Sequence, residues 1–454
     1  MQAIPSSYKD PSGFIFLHQD QYYRQVNPVY QKHYDHLMTS GLHETLVQQE
    51  KLIPHQDVTP QFSETIAYKI ILPQQISVIS YAWEWSFGML RDAALCTLDN
   101  ARAALSHSMI LKDANTYNIQ FIQGKPMLID TLSFEIYEEG KSWIAYHQFC
   151  EQFLAPLALM KYTDVSLNKL LQIYPEGIPL SVCRKLLPSK AKFNLHIYLH
   201  IFLQSQYAGK QEQKKQQKQF FSKAKLLTLL NGLYDFVSGL SLVEKKSTWN
   251  NYYDETILSQ HYLDEKKKLV LDLVNTISIK SLLDLGANDG AFSLLLSNQV
   301  QQTISIDGDA FCIDRLYEKN KAEKRNHILA LCADLTAMSP AIGWDNRERP
   351  ALLTRLKADL CMALALIHHL AIGRNVPIEK CLELFASFGT YVLVEFVDKT
   401  DPKVQILLQD REDIFPDYTL DHFRQLASNT FDILAEKTLQ QNTRTLFLLK
   451  LKNR

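Results

Sequence analysis

In the second half of this chain, short apolar runs alternate with stretches of helical period. The segments SLLDLGANDGAFSLLLSN, TISIDGDAFCIDRLYEKN, HILALCADL, KADLCMALALIHHL and GTYVLVEF each open on such a run, and most then pass into a helical pattern. A short run that is apolar at every position suits a strand buried on both faces. Strands of that kind alternating with helices predict a parallel sheet covered on each side. The last stretch, Phe431–Leu449, departs from this pattern. FDILAEKTL and TRTLFLLK flank the turn QQN, which predicts an antiparallel hairpin on the sheet edge.

The first half is patterned differently. Gly13–Val26 reads as a hairpin followed by a helix from Asn27, Ile76–Ser80 as a strand, Tyr81–Ser86 as a hinge, and Leu90–Ser106 as a helix. NIQF and PMLID flank IQGK and predict a second hairpin ending in Asp130, and Trp143–Met160 has the apolar spacing of a helix. Between the halves, Gly209–Lys218 (GKQEQKKQQK) is polar, basic and free of β-branched residues; it reads as a flexible hinge or an exposed helical turn. The expected division is an α+β accessory domain over residues 1–208, a linker and helical connector over 209–246, and an α/β domain over 247–454.

A length of 454 residues fits two or three domains. A hydrophobic content of 46% and a charged content of 21% are those of a soluble globular chain. The net charge of −1 supplies no basic face, so no nucleic-acid partner is expected. The opening MQAIPSSYKDPSG lacks the basic and apolar regions of a signal peptide, and apolar runs such as Leu360–Leu366 are far short of a membrane span. A soluble, cytoplasmic protein without a membrane partner is therefore expected. The seven cysteines contain no C-x-x-C pair and read as reduced thiols, not as a disulfide frame or zinc site.

The densest chemical signal is Leu282–Ser293, LLDLGANDGAFS. Leu282 and Leu283 end a buried strand, Gly286 allows a tight turn, and Gly290 opens the next helix and permits close approach of its backbone to a ligand. Asp284 stands at the carboxyl end of the strand, where open α/β sheets bind ligands, and can reach a cationic amino group. The helix start offers N–H groups to a carboxylate. The spacing is D-x-G-x-x-x-G, distinct from the G-x-G-x-x-G of dinucleotide sites. About 20 residues on, the strand Thr303–Ile306 ends in Asp307, placed to accept hydrogen bonds from ribose hydroxyls or to serve as a turn residue.

This segment resembles motif I of the class I S-adenosylmethionine-dependent methyltransferases, and the order of the strands after it resembles theirs as well. The resemblance implies a Rossmann-like sheet with a terminal antiparallel hairpin and S-adenosylmethionine as cofactor. Asp284, Gly286, Asn288 and Gly290 would form the turn at its methionine end, Asp307 would take the ribose, and Asp334 at the end of the third strand the adenine. Asp334 also suits an N-cap for Thr336 onward. His368 and His369, in ALIHHLA after the fourth strand, are the candidate catalytic bases or else plain helix residues. Glu395 on the fifth strand is either an acceptor ligand or a paired strand-end carboxylate. An unidentified small molecule or a protein side chain is the implied acceptor.

A second resemblance lies in Leu111–Phe134, LKDANTYNIQFIQGKPMLIDTLSF. The spacing of Asp113 and Asn118, with Asp130 beyond the hairpin, resembles the catalytic and metal-binding loops of the protein-kinase-like fold. It implies that Asp113 positions an acceptor hydroxyl while Asn118 and Asp130 hold magnesium beside ATP. The pattern departs from that family in several places. No glycine-rich loop precedes Arg24, which stands where a nucleotide-binding Lys is expected, with Lys69 as the other candidate. Asp130-Thr131-Leu132 replaces the usual D-F-G, and Asn115 the usual Lys or His. Turn residues before a hairpin are the alternative. A degenerate kinase-like domain, or a non-catalytic scaffold, therefore stands beside phosphoryl transfer. The chain as a whole resembles a bacterial group related to the NoeA nodulation proteins, on the phrases LIDTLSFEIYEEGKSWIAYHQFCEQFLAPLAL and LALIHHLAIGRNVPIEK.

Overall fold

The computed structural model describes residues 2–62, 66–207, 221–242, 260–409, 412–440 and 443–452. The linker segment Gly209–Lys218 and the first residues of the expected 247–454 domain lie outside them. The chain forms two compact units. One comprises Met1–Val243 together with Ala341–Pro350, and the other Glu244–Pro340 together with Ala351–Arg454.

The first unit opens with β1 (Gly13–His18), β2 (Gln21–Val26), β3 (His55–Asp57) and β4 (Lys69–Pro73), an antiparallel sheet in the order β1-β2-β4-β3. One face buries Phe16, Tyr23, Val58 and Ile70, and the other packs Val26 and Ile71 on Tyr30, Tyr34 and Leu132. Ile76–Ser80 is not a strand, contrary to expectation. There the amide of Gln120 takes over ladder bonding: its oxygen accepts from Ser80 N and its nitrogen donates to Ser80 O, both at 2.9 Å. The helix Phe87–Ser106 begins where Ser86 caps Met89 N, and it is buried along most of its length. The short pairs β5 (Met109–Leu111) with β8 (Phe134–Ile136), and β6 (Ile119–Ile122) with β7 (Lys125–Leu128), follow that helix. The expected helix after Trp143 runs Tyr146–Tyr162 and is widened by a π-turn at Cys150–Leu154.

Ala341–Pro350 belongs to this unit although it follows a strand of the other in sequence. Glu348 accepts from the Tyr8 hydroxyl at 3.0 Å and pairs with Lys9 at 2.6 Å, and the Arg349 guanidinium lies 3.9 Å from the centre of the Tyr117 ring.

The second unit is built on β9 (Ser281–Leu285), β10 (Gln302–Asp307), β11 (Ile328–Cys332), β12 (Ala358–Ala363), β13 (Gly389–Val397), β14 (Phe431–Thr438) and β15 (Arg444–Leu451). The sheet order is β11-β10-β9-β12-β13-β15-β14; β15 is antiparallel to both neighbours, and the pairings from β11 through β13 are parallel. This is the order 3-2-1-4-5-7-6, the Rossmann-like methyltransferase architecture expected from the sequence. Leu282, Leu283, Leu285, Leu360, Met362 and Leu393 are fully buried, which is why these strands read as unbroken apolar runs. Helices Ala291–Leu296, Ala310–Ala322, Ile367–Arg374 and Ile378–Ala386 link the parallel strands, and Gln260–Val274 packs Tyr262, Val270 and Leu273 into the core. All seven cysteines are buried and unpaired. Among the described residues no helix is long and apolar enough to cross a membrane.

Candidate active site

The strand order reverses between β9 and β12, and at such a switch point the carboxyl ends of the strands open a crevice. The sequence places its densest chemistry there. In register, Asp284 lies between Ser305 of β10 and Met362 of β12. Its carboxyl is buried and accepts the Ser293 hydroxyl at 2.5 Å, and Ser305 donates to Ser293 at 2.8 Å. Burial pushes the Asp284 carboxyl up to about 7; the Ser293 bond pulls it down and nearby Asp307 adds to the rise.

The turn that follows is left-handed three times, at Gly286 (φ +74°), Asn288 (φ +50°) and Gly290 (φ +80°). A Cβ at Gly290 would stand 2.5 Å from the Leu316 side chain, so both conformation and space exclude a larger residue. The Asp307 carboxylate at the end of β10 braces the turn by accepting Asn288 N and Asp309 N, each at 2.8 Å. Burial raises its pKa against the pull of those backbone donors. The structure thus brings Asp284, Gly286, Asn288, Gly290 and Asp307 into one cradle, with the carboxyl of Asp284 buried and that of Asp307 half-buried beside the turn. That donor set fits a cationic amino acid joined to a ribose. Asp334 is half-buried, and its Oδ1 accepts both Thr336 N at 2.8 Å and Thr336 Oγ1 at 2.7 Å, closing a turn that no helix follows.

His368 and His369 start the helix after β12, with ring centres 4.1 Å apart. His368 is fully buried and neither ring nitrogen has a hydrogen-bond partner. Burial first, then its neighbour His369, holds its pKa well below the usual range. Burial and Arg444 lower His369 to about 4. Both rings are therefore neutral at physiological pH. The chain enters this helix through Ala365, a non-glycine residue at φ +50°. That conformation costs about 1–2 kcal/mol, and such strain concentrates at functional turns. The Leu366 side chain beside it lies 3.3 Å from where a Cβ on Gly286 would be.

Glu395 is a paired carboxylate, and this corrects its reading as an acceptor ligand. Lys266 donates to Oε2 at 2.5 Å, the Tyr262 hydroxyl donates to Oε1 at 3.0 Å, and Arg444 stands 3.6 Å away. Burial alone would raise its pKa, but Lys266 and Arg444 outweigh that and hold the carboxyl below its ordinary value. Arg444 in turn donates to Asp401 at 2.7 and 3.1 Å and to the Tyr262 hydroxyl at 3.0 Å. The Lys266 ammonium also lies 4.9 Å from the centre of the Phe292 ring. Single-sequence reasoning missed Lys266, Tyr262, Arg444 and Ser293. The one signal available was Arg444, a cation heading an otherwise apolar strand.

In the first unit Asp113, Asn118 and Asp130 do converge. The Asn118 amide donates to Asp113 at 2.9 Å and approaches Ser133 Oγ at 3.3 Å, and Ser133 donates to Asp130 at 2.7 Å. Burial, then Asp130, raises the Asp113 carboxyl. Arg24 pairs with Asp130 at 2.5 Å, and Leu132 N donates to it at 3.0 Å. Lys69 is turned away, paired with Asp57 at 2.7 Å.

No family model matches the chain. It is 30% identical to the nodulation protein NoeA of Rhizobium meliloti (strain 1021) over 456 residues, covering 98% of this chain and 95% of that one. Among solved structures it overlaps the N-methyltransferase NodS from Bradyrhizobium japonicum WM9 over 43% of this chain and 99% of that one, with 12% identity and a TM-score of 0.33. WbdD overlaps over 48% of this chain and 46% of its own, at 16% identity and a TM-score of 0.32. Likenesses at that level carry no information about substrate.

Proposed function

The chain belongs to the NoeA family of nodulation proteins, and from that premise we propose that its second unit transfers a methyl group from S-adenosylmethionine to a small-molecule acceptor. The observation that carries this reading is the cradle at the sheet's switch point, where Asp307 braces a left-handed Gly286–Gly290 turn above the buried Asp284. The bound cofactor supplies a methyl group already activated on a sulfonium. The chain's own residues then bind and orient. Asp307 offers carboxylate lone pairs to ribose hydroxyls, and Asp284 in its ionised form balances the amino group. The glycines let the backbone approach closely.

Little acid–base help is required beyond holding an acceptor lone pair in line and excluding water. His369 is the residue we assign to receive a proton from an acceptor hydroxyl or amine: its ring is neutral, and its helix follows β12, one of the two strands that flank the switch point. His368, buried directly behind it, acts as the surface on which His369 rests. Glu395 is a positioning residue through Lys266 and Tyr262. Calorimetry with the full chain tests the reading. S-adenosylmethionine should bind, and Asp307→Ala should abolish binding; a wild-type protein that takes up no cofactor overturns it.

Phosphoryl transfer by the first unit is the second reading, favoured by the convergence of Asp113, Asn118 and Asp130. It stands second because Arg24, Leu132 N and Ser133 already occupy the Asp130 carboxylate that would hold magnesium. Magnesium–ATP binding lost in Asp130→Ala would raise it to first place, and no binding would leave this unit a scaffold.

A further inference from the structure

We propose that the first unit carries a peripheral docking surface for anionic phospholipid membranes, formed by residues 184–199. This surface is separate from both candidate sites and does not depend on the methyltransferase reading.

The elements concerned are the helix Leu180–Leu186, the 3-10 turn Ser189–Phe193, the short helix Leu195–Ile197 and the π-turn Tyr198–Leu203. Their inward side chains, Leu180, Cys183, Ala191, Ile197 and Ile201, are buried and anchor the segment. Its outward side chains are large and apolar where a soluble surface would be polar. Phe193 is 92% exposed and Leu195 65%, and Leu186, Tyr198 and Leu199 are exposed as well. Scattered exposed apolar residues need no explanation, but a local concentration of this kind marks an interaction surface.

Charge indicates which surface it meets. Arg184, Lys185, Lys190 and Lys192 are all exposed and alternate with those apolar groups, and from Gly177 through Tyr207 there is no Asp or Glu. None of the four cations forms an ion pair among the described residues, while Lys192 also lies 5.4 Å from the Phe202 ring. The exposed acids that precede the segment are Glu176 and Asp164, and Asp164 accepts from Ser166 N and Oγ at 2.9 and 2.6 Å. Exposed aliphatic groups flanked by unpaired cations match the two layers of an anionic membrane surface: acyl chains for the first, phosphates for the second. Leu186, Leu195 and Leu199 cannot stack on nucleobases, which disfavours RNA. The expected absence of a membrane partner rested on the absence of a spanning run, and peripheral docking needs none.

Vesicle flotation with the full chain tests this. Vesicles of phosphatidylcholine with phosphatidylglycerol should carry the protein, and pure phosphatidylcholine should not. Lys185→Gln/Lys190→Gln/Lys192→Gln should weaken binding on the order of 100-fold, at about fivefold per cation. Phe193→Ser/Leu195→Ser should weaken it more than about tenfold. All five positions are exposed, so far-UV circular dichroism and Tm should stay at wild-type values. Failure to bind anionic vesicles, or binding that both variants retain, overturns the proposal. So does an oligonucleotide bound in place of vesicles, or a self-association that Phe193→Ser/Leu195→Ser abolishes while vesicles are ignored.

Discussion

Ser293 donates its hydroxyl to the buried carboxyl of Asp284 at 2.5 Å, directly beneath the glycine turn. The pair sets a pH dependence. Burial pushes the Asp284 carboxyl up to about 7, above the ordinary aspartate value, so the native state holds this proton more tightly than the unfolded chain does. Stability from this group is therefore greatest in acid and falls as pH rises from about 4 to about 7, by up to about 1.4 kcal/mol per pH unit crossed. Asp284→Asn should raise Tm at pH 8 far more than at pH 5. The same substitution should remove the rise in S-adenosylmethionine affinity between pH 6 and 8 that ionisation of Asp284 brings. A Tm difference that stays constant with pH would contradict this account.

His369 works in the opposite direction. Its folded pKa is lowered to about 4, so the unfolded chain takes up the proton first as pH falls. The stability it contributes is complete above about 6.5 and is lost as pH falls toward 4. His369→Gln should flatten the acid limb of the Tm profile in that window. If His369 also receives the acceptor's proton, turnover should fall on the order of 100-fold with the cofactor Kd unchanged. A variant whose turnover matches wild type removes His369 from the chemistry.

Ala365 at φ +50° precedes Leu366, whose side chain packs against Gly286 at φ +74°. Ala365→Gly should relieve strain and raise stability by up to about 1 kcal/mol, after the extra freedom of the unfolded chain is offset. Gly286→Ala should lower stability by about 1–2 kcal/mol and weaken cofactor binding with it. Chemical denaturation reads the first effect and calorimetry the second. Loss of stability in Ala365→Gly would show that the turn is not strained.

The Lys266–Glu395 pair is fully buried, so removing one partner leaves a stranded charge. Lys266→Met should cost about 3–5 kcal/mol. Lys266→Met/Glu395→Gln should recover part of that loss, because both charges then go together while the amide still accepts from Tyr262. A double variant as unstable as the sum of the single ones would mean the two side chains do not act as a pair.

The parallel strands were legible in the sequence because burial on both faces leaves no alternation to disguise them, and β11 spans Ile328–Cys332, as the pattern predicts. Asp307 was legible because a fixed helix length sets its distance from Asp284. Ile76–Ser80 misled because a side chain, Gln120, did the hydrogen bonding of a strand partner. The Lys266–Glu395–Arg444–Asp401 network was hidden for another reason. Its members come from a helix, a strand, a loop and a hairpin far apart in sequence, and no local pattern couples them. Glu395 was open to either reading, and only its partners decided between them. The same holds for Arg24, whose role depends on Asp130 across the hairpin.

β15 is made after every strand it pairs with, yet it lies between β13 and β14 in the interior of the sheet. During synthesis, the earlier strands emerge with an open seam: β13 exposes a full edge, and β14 has nothing to pair with. Arg444 arrives with this strand, so Asp401 and Tyr262 also wait for their shared partner. The sheet of the second unit is therefore complete only when its last-made strand docks between β13 and β14. A released chain that ends just before Arg444 should be more exposed to proteases and chaperones than the full chain.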